Sequence, residues 1–380
     1  MTLFTAPERS TPPPRRRRST VGLVFLAVAV VIGIVLSILP APYLIEQPGP
    51  VFDTLGTNEF DGKQTPLISI EGHPTYATAG SLDLLTVSVV GNQTQRPNWA
   101  EIVGAWFDPS KAVIPVDEIY PTGVSNKQVD QQNTLDMEQS QKSAVTAALD
   151  HEGYDVGTSI TVSAVEKDSP ASGKLAKGDV IDSINGVDLR QNSDVDTLRA
   201  LVTKNGSKPA TVRYSRSGDS EAQGGPTRVA TITPQKVTGN GQTAYLLGIG
   251  ASVSYDFPFS VSLKLADVGG PSAGQMFALG IIDKITPGEL NGGKRVAGTG
   301  TITANGTIGA IGGIRQKMYG ARAAGATVFL APASNCNEVT GHIPSGLSVY
   351  AVSTLDQSVT VLDTVASKGD VSSLPTCQSN

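Results

Sequence analysis

The stretch Asp267-Val268-Gly269-Gly270-Pro271-Ser272-Ala273-Gly274, followed by the apolar run Gln275-Met276-Phe277-Ala278-Leu279-Gly280-Ile281-Ile282, decides how this chain is read. Gly269 and Gly270 predict a sharp turn that a substrate can approach closely, because glycine tolerates backbone conformations that other residues avoid. Pro271 suits the first turn of a helix. Ser272 is therefore expected at a helix N-terminus, with Gly270, Pro271 and Ala273 forming the turn around it. Unpaired N–H groups at such a turn stabilise an oxyanion, typically by about 2.7 to 4 kcal/mol per donor. Taken alone, Pro-Ser before a helix is more often a cap than a nucleophile.

A second element lifts the signal. Val296 to Thr303 reads as a strand, Asn305-Gly306 as a hairpin turn and Thr307 to Ile311 as the returning strand. Gly312-Gly313 then opens a helix, Ile314 to Ala324, which Gly325 ends, and the strand Thr327 to Pro332 follows. Gly-Pro-Ser-Ala-Gly followed by this arrangement of threonine, glycine, isoleucine and lysine closely resembles the proteolytic domain of Lon proteases. The resemblance implies an α+β domain that hydrolyses peptide bonds. It makes Ser272 the nucleophile, Lys317 its base and Thr299 the residue that orients the lysine; 45 residues separate serine from lysine, near the family's interval. Gly269 departs from the pattern, since many Lon proteins carry an aspartate there.

The chemistry agrees. A serine hydroxyl is a weak nucleophile until a base takes its proton, and His73, His151 and His342 are scattered without triad context. A lysine base must titrate near about 7 to 8, well below its ordinary value of about 10.4, to work at neutral pH. Burial by Ile314, Met318 and the alanine-rich helix supplies such a shift. A lone helical lysine is ordinarily solvated, so only its pairing with the serine motif argues otherwise. Arg315 is expected to face solvent or pair with a carboxylate, and Lys264 and Asp267 to lie at the surface.

Residues 155–235 form an earlier unit. Ser159 to Val165 alternates like a half-buried strand, Ser169-Pro170-Ala171 leads to Leu175-Ala176-Lys177-Gly178-Asp179-Val180-Ile181-Asp182-Ser183-Ile184-Asn185-Gly186, a helix spans about Ser193 to Lys204, and Ala210 to Arg216 returns as a strand. This order resembles a PDZ domain, a module that binds extended peptides by adding them to a sheet edge. By position, Gly157, Thr158, Ser159 and Ile160 stand where that family's carboxylate-binding loop would be, although they depart from its usual form. Gln223 to Pro226 reads as a loop. A small structural β-sandwich is the alternative reading of this unit.

Further out, Arg15 to Arg18 precede an uncharged run from Val21 to Leu39 in which Ser37 is the one clearly polar side chain. At about 1.5 Å per residue this run reaches roughly 28 Å, close to the hydrocarbon thickness of a bilayer. A signal peptide has a shorter apolar region and an Ala-x-Ala-like site, which Leu39-Pro40-Ala41 matches poorly. The arginines before the span and the absence of basic residues until Lys63 place residues 1–20 in the cytoplasm and the rest outside. Residues 43–150 are expected to form a β-rich extracytoplasmic segment with strands Leu67 to Ile70 and Leu82 to Val90 and a helix from Asn133 to Asp150.

Hydrophobic residues at 39%, charged residues at 17% and a net charge of -5 fit a globular chain and give no basic, aromatic-interleaved stripe for nucleic acid. Cys336 and Cys377 permit one disulfide in an oxidising compartment. No zinc site of the usual spacing can be built from three scattered histidines, so neither metal nor cofactor is expected. Gly288 to Lys294 spells the outline of a phosphate-binding loop, but Arg295 replaces the serine or threonine that would hold magnesium.

The order of anchor, PDZ unit at 155–235 and Lon-like unit at 236–365, with a tail at 366–380, resembles a bacterial family of PDZ-containing, Lon-like membrane proteases. It implies protein or peptide substrates, cleavage without an ATPase module in this chain, and a homo-oligomeric ring. An inert PDZ adaptor for envelope proteins, or a regulator that cuts only itself or one partner, remain the alternatives.

Overall fold

In the computed structural model, residues 17–60, 62–121, 123–190, 193–216, 227–239, 242–265 and 268–377 are described. The chain divides into two units, Met1–Glu46 with Val89–Gly123, and Gln47–Ser88 with Val124–Asn380. Gln223 to Pro226, Asp267 and the arginines at 15 and 16 lie outside the described residues.

In the first unit the apolar run forms the helix Arg17–Ile38, whose segment Val21–Ile38 has a mean hydropathy of 3.0 and is long and apolar enough to cross a membrane. Tyr43 to Glu46 pair antiparallel with Pro115 to Ala112. Beside them lies the helix Trp99–Trp106, opened by a reciprocal cap in which Asn98 accepts from the Glu101 N–H and Glu101 accepts from the Asn98 N–H. Ala41, Ile45, Ile102 and Ala105 form a small buried core.

The second unit holds two sheets. In the proteolytic sheet the strands Ser348–Val352, Val328–Pro332, Arg295–Gly298 and Ser81–Val90 lie parallel in that order. Its strands alternate between two cores, as a period of two requires. Leu82, Leu84, Val328 and Leu330 face the helices Asn126–His151, Gly274–Ile285 and Leu355–Ala366. Leu85, Ala297, Phe329 and Ala331 face the helix Ile314–Ala323 on the other side. Phe277 and Phe329, one in each core, have no solvent exposure; burying a side chain of this size contributes about 1.5–3 kcal/mol. Asp83 is buried within the sheet and is held by Arg295 on the neighbouring strand.

These pairings correct the expected boundaries. Residues 43–150 are not a separate segment: Ser81–Val90 joins the proteolytic sheet through Leu82 against Val296, and Asn126–His151 packs on the serine-bearing helix. Leu82 to Leu85 is buried on both faces, and such a strand needs partners on both sides that only a distant segment provides. The helix also begins earlier than the expected Asn133, at Asn126, behind a Ser125–Gln128 cap.

The PDZ sheet runs Arg228–Ile232, Ala210–Ser215, Val180–Ile184, Gly157–Val165, Ile249–Asp256. Its helix, Val195–Asn205, is capped by Asp194. The expected limit at residue 235 therefore moves. Ile249–Asp256 pairs along the whole of Gly157–Val165, so the proteolytic unit does not begin at 236.

Gly288 to Lys294 forms turns that lead into the strand Arg295–Gly298, not into the helix that a phosphate loop requires. The turn closes on Asp283, which accepts from the Leu290 N–H. Burial pushes the Asp283 carboxyl up to about 6, against the lowering effect of that hydrogen bond. A carboxyl raised from 3.8 in the folded state binds more protons there than in the unfolded chain between about pH 4 and 6. Stability is therefore lost as pH rises through that window, and the penalty stays in full above it. Asp283→Asn is expected to stabilise the protein by on the order of 2 kcal/mol at pH 8 and to change little at pH 4, read from denaturant unfolding at both pH values.

Candidate active site

Ser272 stands in the turn that leads into the helix Gly274–Ile285, and Lys317 is carried on the helix Ile314–Ala323; the two helices pack into the cores on opposite faces of one sheet. The two residues meet where the strand Arg295–Gly298 ends, in keeping with the tendency of α/β sheets to place sites at the carboxyl ends of parallel strands. The expected continuous strand from Val296 to Thr303 is broken there. Thr299 still donates its N–H to Leu330, but Gly300 turns its N–H to the Ser272 carbonyl.

Lys317 Nζ lies 2.7 Å from Ser272 Oγ and 3.0 Å from Thr299 Oγ1. The Thr299 hydroxyl donates to the Ser272 carbonyl at 3.0 Å, so threonine links the amine to the backbone of the serine. Lys317 is 2% exposed and Thr299 is 0% exposed, while Ser272 is half-buried. As an ammonium, Lys317 donates to both hydroxyls; as a free amine it accepts from the Ser272 O–H across the same contact. This arrangement can pass a proton between serine and lysine.

Gly270 has φ of +84°, in the left-handed region that favours glycine, and Pro271 and Ala273 complete the turn into the helix Gly274–Ile285. The helix starts two residues after Ser272, one turn later than Pro271 alone predicts. Gly270, Pro271 and Ala273 flank the serine in this turn.

The sequence reading missed the buttress. Asn126–His151 holds the turn from behind: Gly270 donates to the Asn133 carbonyl at 2.9 Å, and Ser140 Oγ donates to the Pro271 carbonyl at 2.9 Å. A side chain at position 269 would meet Asn133 Cβ at 2.7 Å, which gives a physical reason for glycine where the resemblance leads one to expect aspartate. A buried serine on an otherwise apolar helical face was the one local signal for this contact.

Gly274 is equally confined, since an added Cβ would lie 2.6 Å from Ile302 Cγ2, 2.8 Å from Ser140 Oγ and 3.1 Å from the Ile302 backbone nitrogen. Glycine to alanine in a helix ordinarily gains up to about 1 kcal/mol. Overpacking against backbone costs about 1–3 kcal/mol, so it wins. Gly274→Ala is expected to lower the melting temperature and, by displacing the serine turn, to reduce turnover by up to about 100-fold. Parallel thermal melts and peptide-hydrolysis assays check both.

Gly157, Thr158, Ser159 and Ile160 do not form a peptide-binding edge. Their strand is interior, paired with Ile249–Asp256 on one side and with Val180–Ile184 and the Leu189–Arg190 carbonyls on the other. The physical reason is that Ile249–Asp256, arriving from beyond the expected domain limit, takes the outer place. Arg315 is exposed and donates to the Glu338 carbonyl, and Lys264 is exposed. Cys336 and Cys377 are joined as a disulfide. Among the described residues no cluster of histidine, cysteine, aspartate or glutamate could hold a metal ion.

Residues 266–364 match the Lon protease (S16) C-terminal proteolytic domain. Residues 133–213 match the PDZ domain. The chain carries a Lon-type proteolytic domain and a PDZ domain. Lon protease 1 of Sorangium cellulosum is 36% identical over 93 residues, 24% of this chain and 11% of that protein. Lon protease 2 of Herpetosiphon aurantiacus is 38% identical over 91 residues, 23% of this chain and 11% of that protein. The similarity thus spans about a tenth of the curated relatives' length. Among solved structures, the PDZ domain of the SdrC-like protein from Listeria monocytogenes is 20% identical with a TM-score of 0.20, covering 24% of this chain and 85% of that one. The Lon-type domain described by the first match contains Ser272, Thr299 and Lys317.

Proposed function

We propose that this chain is a membrane-anchored serine endopeptidase in which Ser272 is the nucleophile and Lys317 the general base. The observation that carries the reading is the 2.7 Å approach of a buried lysine amine to the hydroxyl of a half-buried serine. The neutral amine takes the Ser272 proton as Oγ attacks the peptide carbonyl, and the ammonium returns it to the leaving amine. Thr299 fixes the amine, and N–H groups of the turn around Ser272 face the developing oxyanion. Water then resolves the acyl-enzyme by the same proton path. No step calls on nucleotide hydrolysis.

A cleft of about 800 Å³ supports protein or peptide substrates; its walls include Gln139, Ser140, Asp194, Ser252, Pro271 and Thr301. Ile249–Asp256 is the terminal strand of the PDZ sheet, and its Ala251 to Val253 stretch lines this cleft together with the start of the PDZ helix. An extended polypeptide adding to that edge would be directed toward Ser272. A homo-oligomeric ring rests on the Lon resemblance alone.

The helix Arg17–Ile38 supports anchoring, with the cationic N-terminus on the cytoplasmic side and the cleft outside. The deciding test is hydrolysis of an unfolded protein such as casein by the detergent-purified full chain, without ATP, compared with Ser272→Ala. ATP-free cleavage that the substitution abolishes supports the reading. Cleavage that survives in Ser272→Ala overturns the site, and a folded chain that captures peptides but cuts none favours the adaptor.

A further inference from the structure

We propose that the helix Trp99–Trp106 is a second membrane contact, an interfacial helix whose Val103, Trp106 and Phe107 side chains enter the outer headgroup layer of the bilayer. The proposal rests on the reading of Arg17–Ile38 as a membrane span. It adds a surface which that reading does not require.

Three observations meet here. The first is the pattern: Ile102 and Ala105 turn into the small core, while Val103, Trp106 and Phe107, at spacings of three and four, are solvent-exposed. Phe107 is 84% exposed and Trp106 60%. An aromatic pair left bare beside a completed core is unusual for a surface that meets only water.

The second is position. The Ala41 N–H donates to the Pro97 carbonyl at 2.8 Å and the Trp99 N–H to the Leu39 carbonyl at 3.2 Å, tying the start of this helix to the end of the apolar one. The two helices also pack against each other, and Leu36 is the one residue from 21 to 40 that is partly buried. Eight residues of helix extend about 12 Å. The polar layer on each side of a bilayer is about 5–8 Å deep, by the difference between its total and hydrocarbon thickness. A short helix packed on the last turns of a span is thereby kept within reach of that layer.

The third is chemistry. Tryptophan and phenylalanine partition into the membrane interface, where tryptophan forms belts. The nearby charges are balanced or acidic: Arg96 and Lys111 stand with Glu101, Asp108, Asp117 and Glu118, and Lys111 pairs with Asp108. Binding therefore draws on apolar contact, not on a polybasic patch, and a zwitterionic bilayer suffices.

The test uses the full chain in phosphatidylcholine nanodiscs with bromine placed either near the carbonyl end or near the tip of the acyl chains. Trp99→Phe leaves Trp106 as the single tryptophan, since the chain has two. Trp106→Phe, which retains Trp99 against the Tyr43 ring at 5.9 Å, is the reference. The expected result is several-fold stronger quenching of Trp106 by the shallow bromines than by the deep ones, and weaker quenching of Trp99. Unquenched Trp106 in a chain that resists alkaline extraction from membranes overturns the interfacial helix and leaves the span standing. Unquenched Trp106 in a chain that is extracted overturns both.

Discussion

Lys317→Ala and Lys317→Arg are each expected to lower kcat by about 10⁴-fold or more, with little change in KM, because in the proposed mechanism the amine acts on the reacting hydroxyl and not on the bound polypeptide. The arginine variant separates chemistry from charge. A guanidinium keeps the positive charge and the donors but does not lose its proton in this range, so it cannot serve as a base. Lys317→Met fills a similar volume without charge in a position that is 2% exposed. It should melt close to the unaltered protein while losing the same activity. A fluorophosphonate probe reports the nucleophile directly, and its attachment to Ser272 should vanish in all three variants. A Lys317→Arg protein that hydrolyses peptides at an undiminished rate would remove the lysine from the mechanism. Thr299 acts through its two neighbours, donating to the Ser272 carbonyl and holding Lys317 Nζ. Thr299→Val should thus reduce kcat by a smaller factor, which Thr299→Ser restores.

Cys377→Ser costs about 4 kcal/mol of stability. The Cys336–Cys377 bond closes a separation of 41 residues, and the chain-entropy estimate for a loop of that length is of this size. The consequence reaches the site. The Ala351 N–H donates to the Pro375 carbonyl at 2.8 Å, so the tail lies along the last strand of the proteolytic sheet. Cys377 packs on the core that holds Ile314, Met318 and Ala321, which belong to the helix carrying Lys317. Denaturant unfolding with and without reductant should show the loss in the unaltered chain and none in the serine variant. Equal midpoints in both conditions would count against a stabilising bond. A compartment that keeps thiols reduced would forfeit this contribution.

Much of the candidate site was legible in the residues because its signals are local. Gly270-Pro271-Ser272 marks a strained turn into a helix, Gly312-Gly313 opens the lysine helix, and the apolar run from Val21 to Leu39 is continuous. The short apolar run along Thr327 to Pro332 predicts a strand, and its two faces meet two different cores. Asn98 and Glu101 also spell a capping box, but the helix they open has only 8 residues, too short for its periodicity to stand out.

Which segments meet was a matter for the tertiary structure. Nothing within Ser81–Val90 states that its partner is Arg295–Gly298, more than two hundred residues later and beyond an entire PDZ domain. Ile249–Asp256 alternates as a half-buried strand should, yet that pattern does not say that it covers Gly157–Val165 and takes over the open edge. The helix Asn126–His151 shows apolar positions but not that Ser140 and Asn133 will brace the serine turn. Local periodicity encodes which face of an element is buried, because it follows the pitch of the backbone. The partner on that face is chosen by complementary shape, and by hydrogen-bond groups that must be satisfied across long stretches of chain.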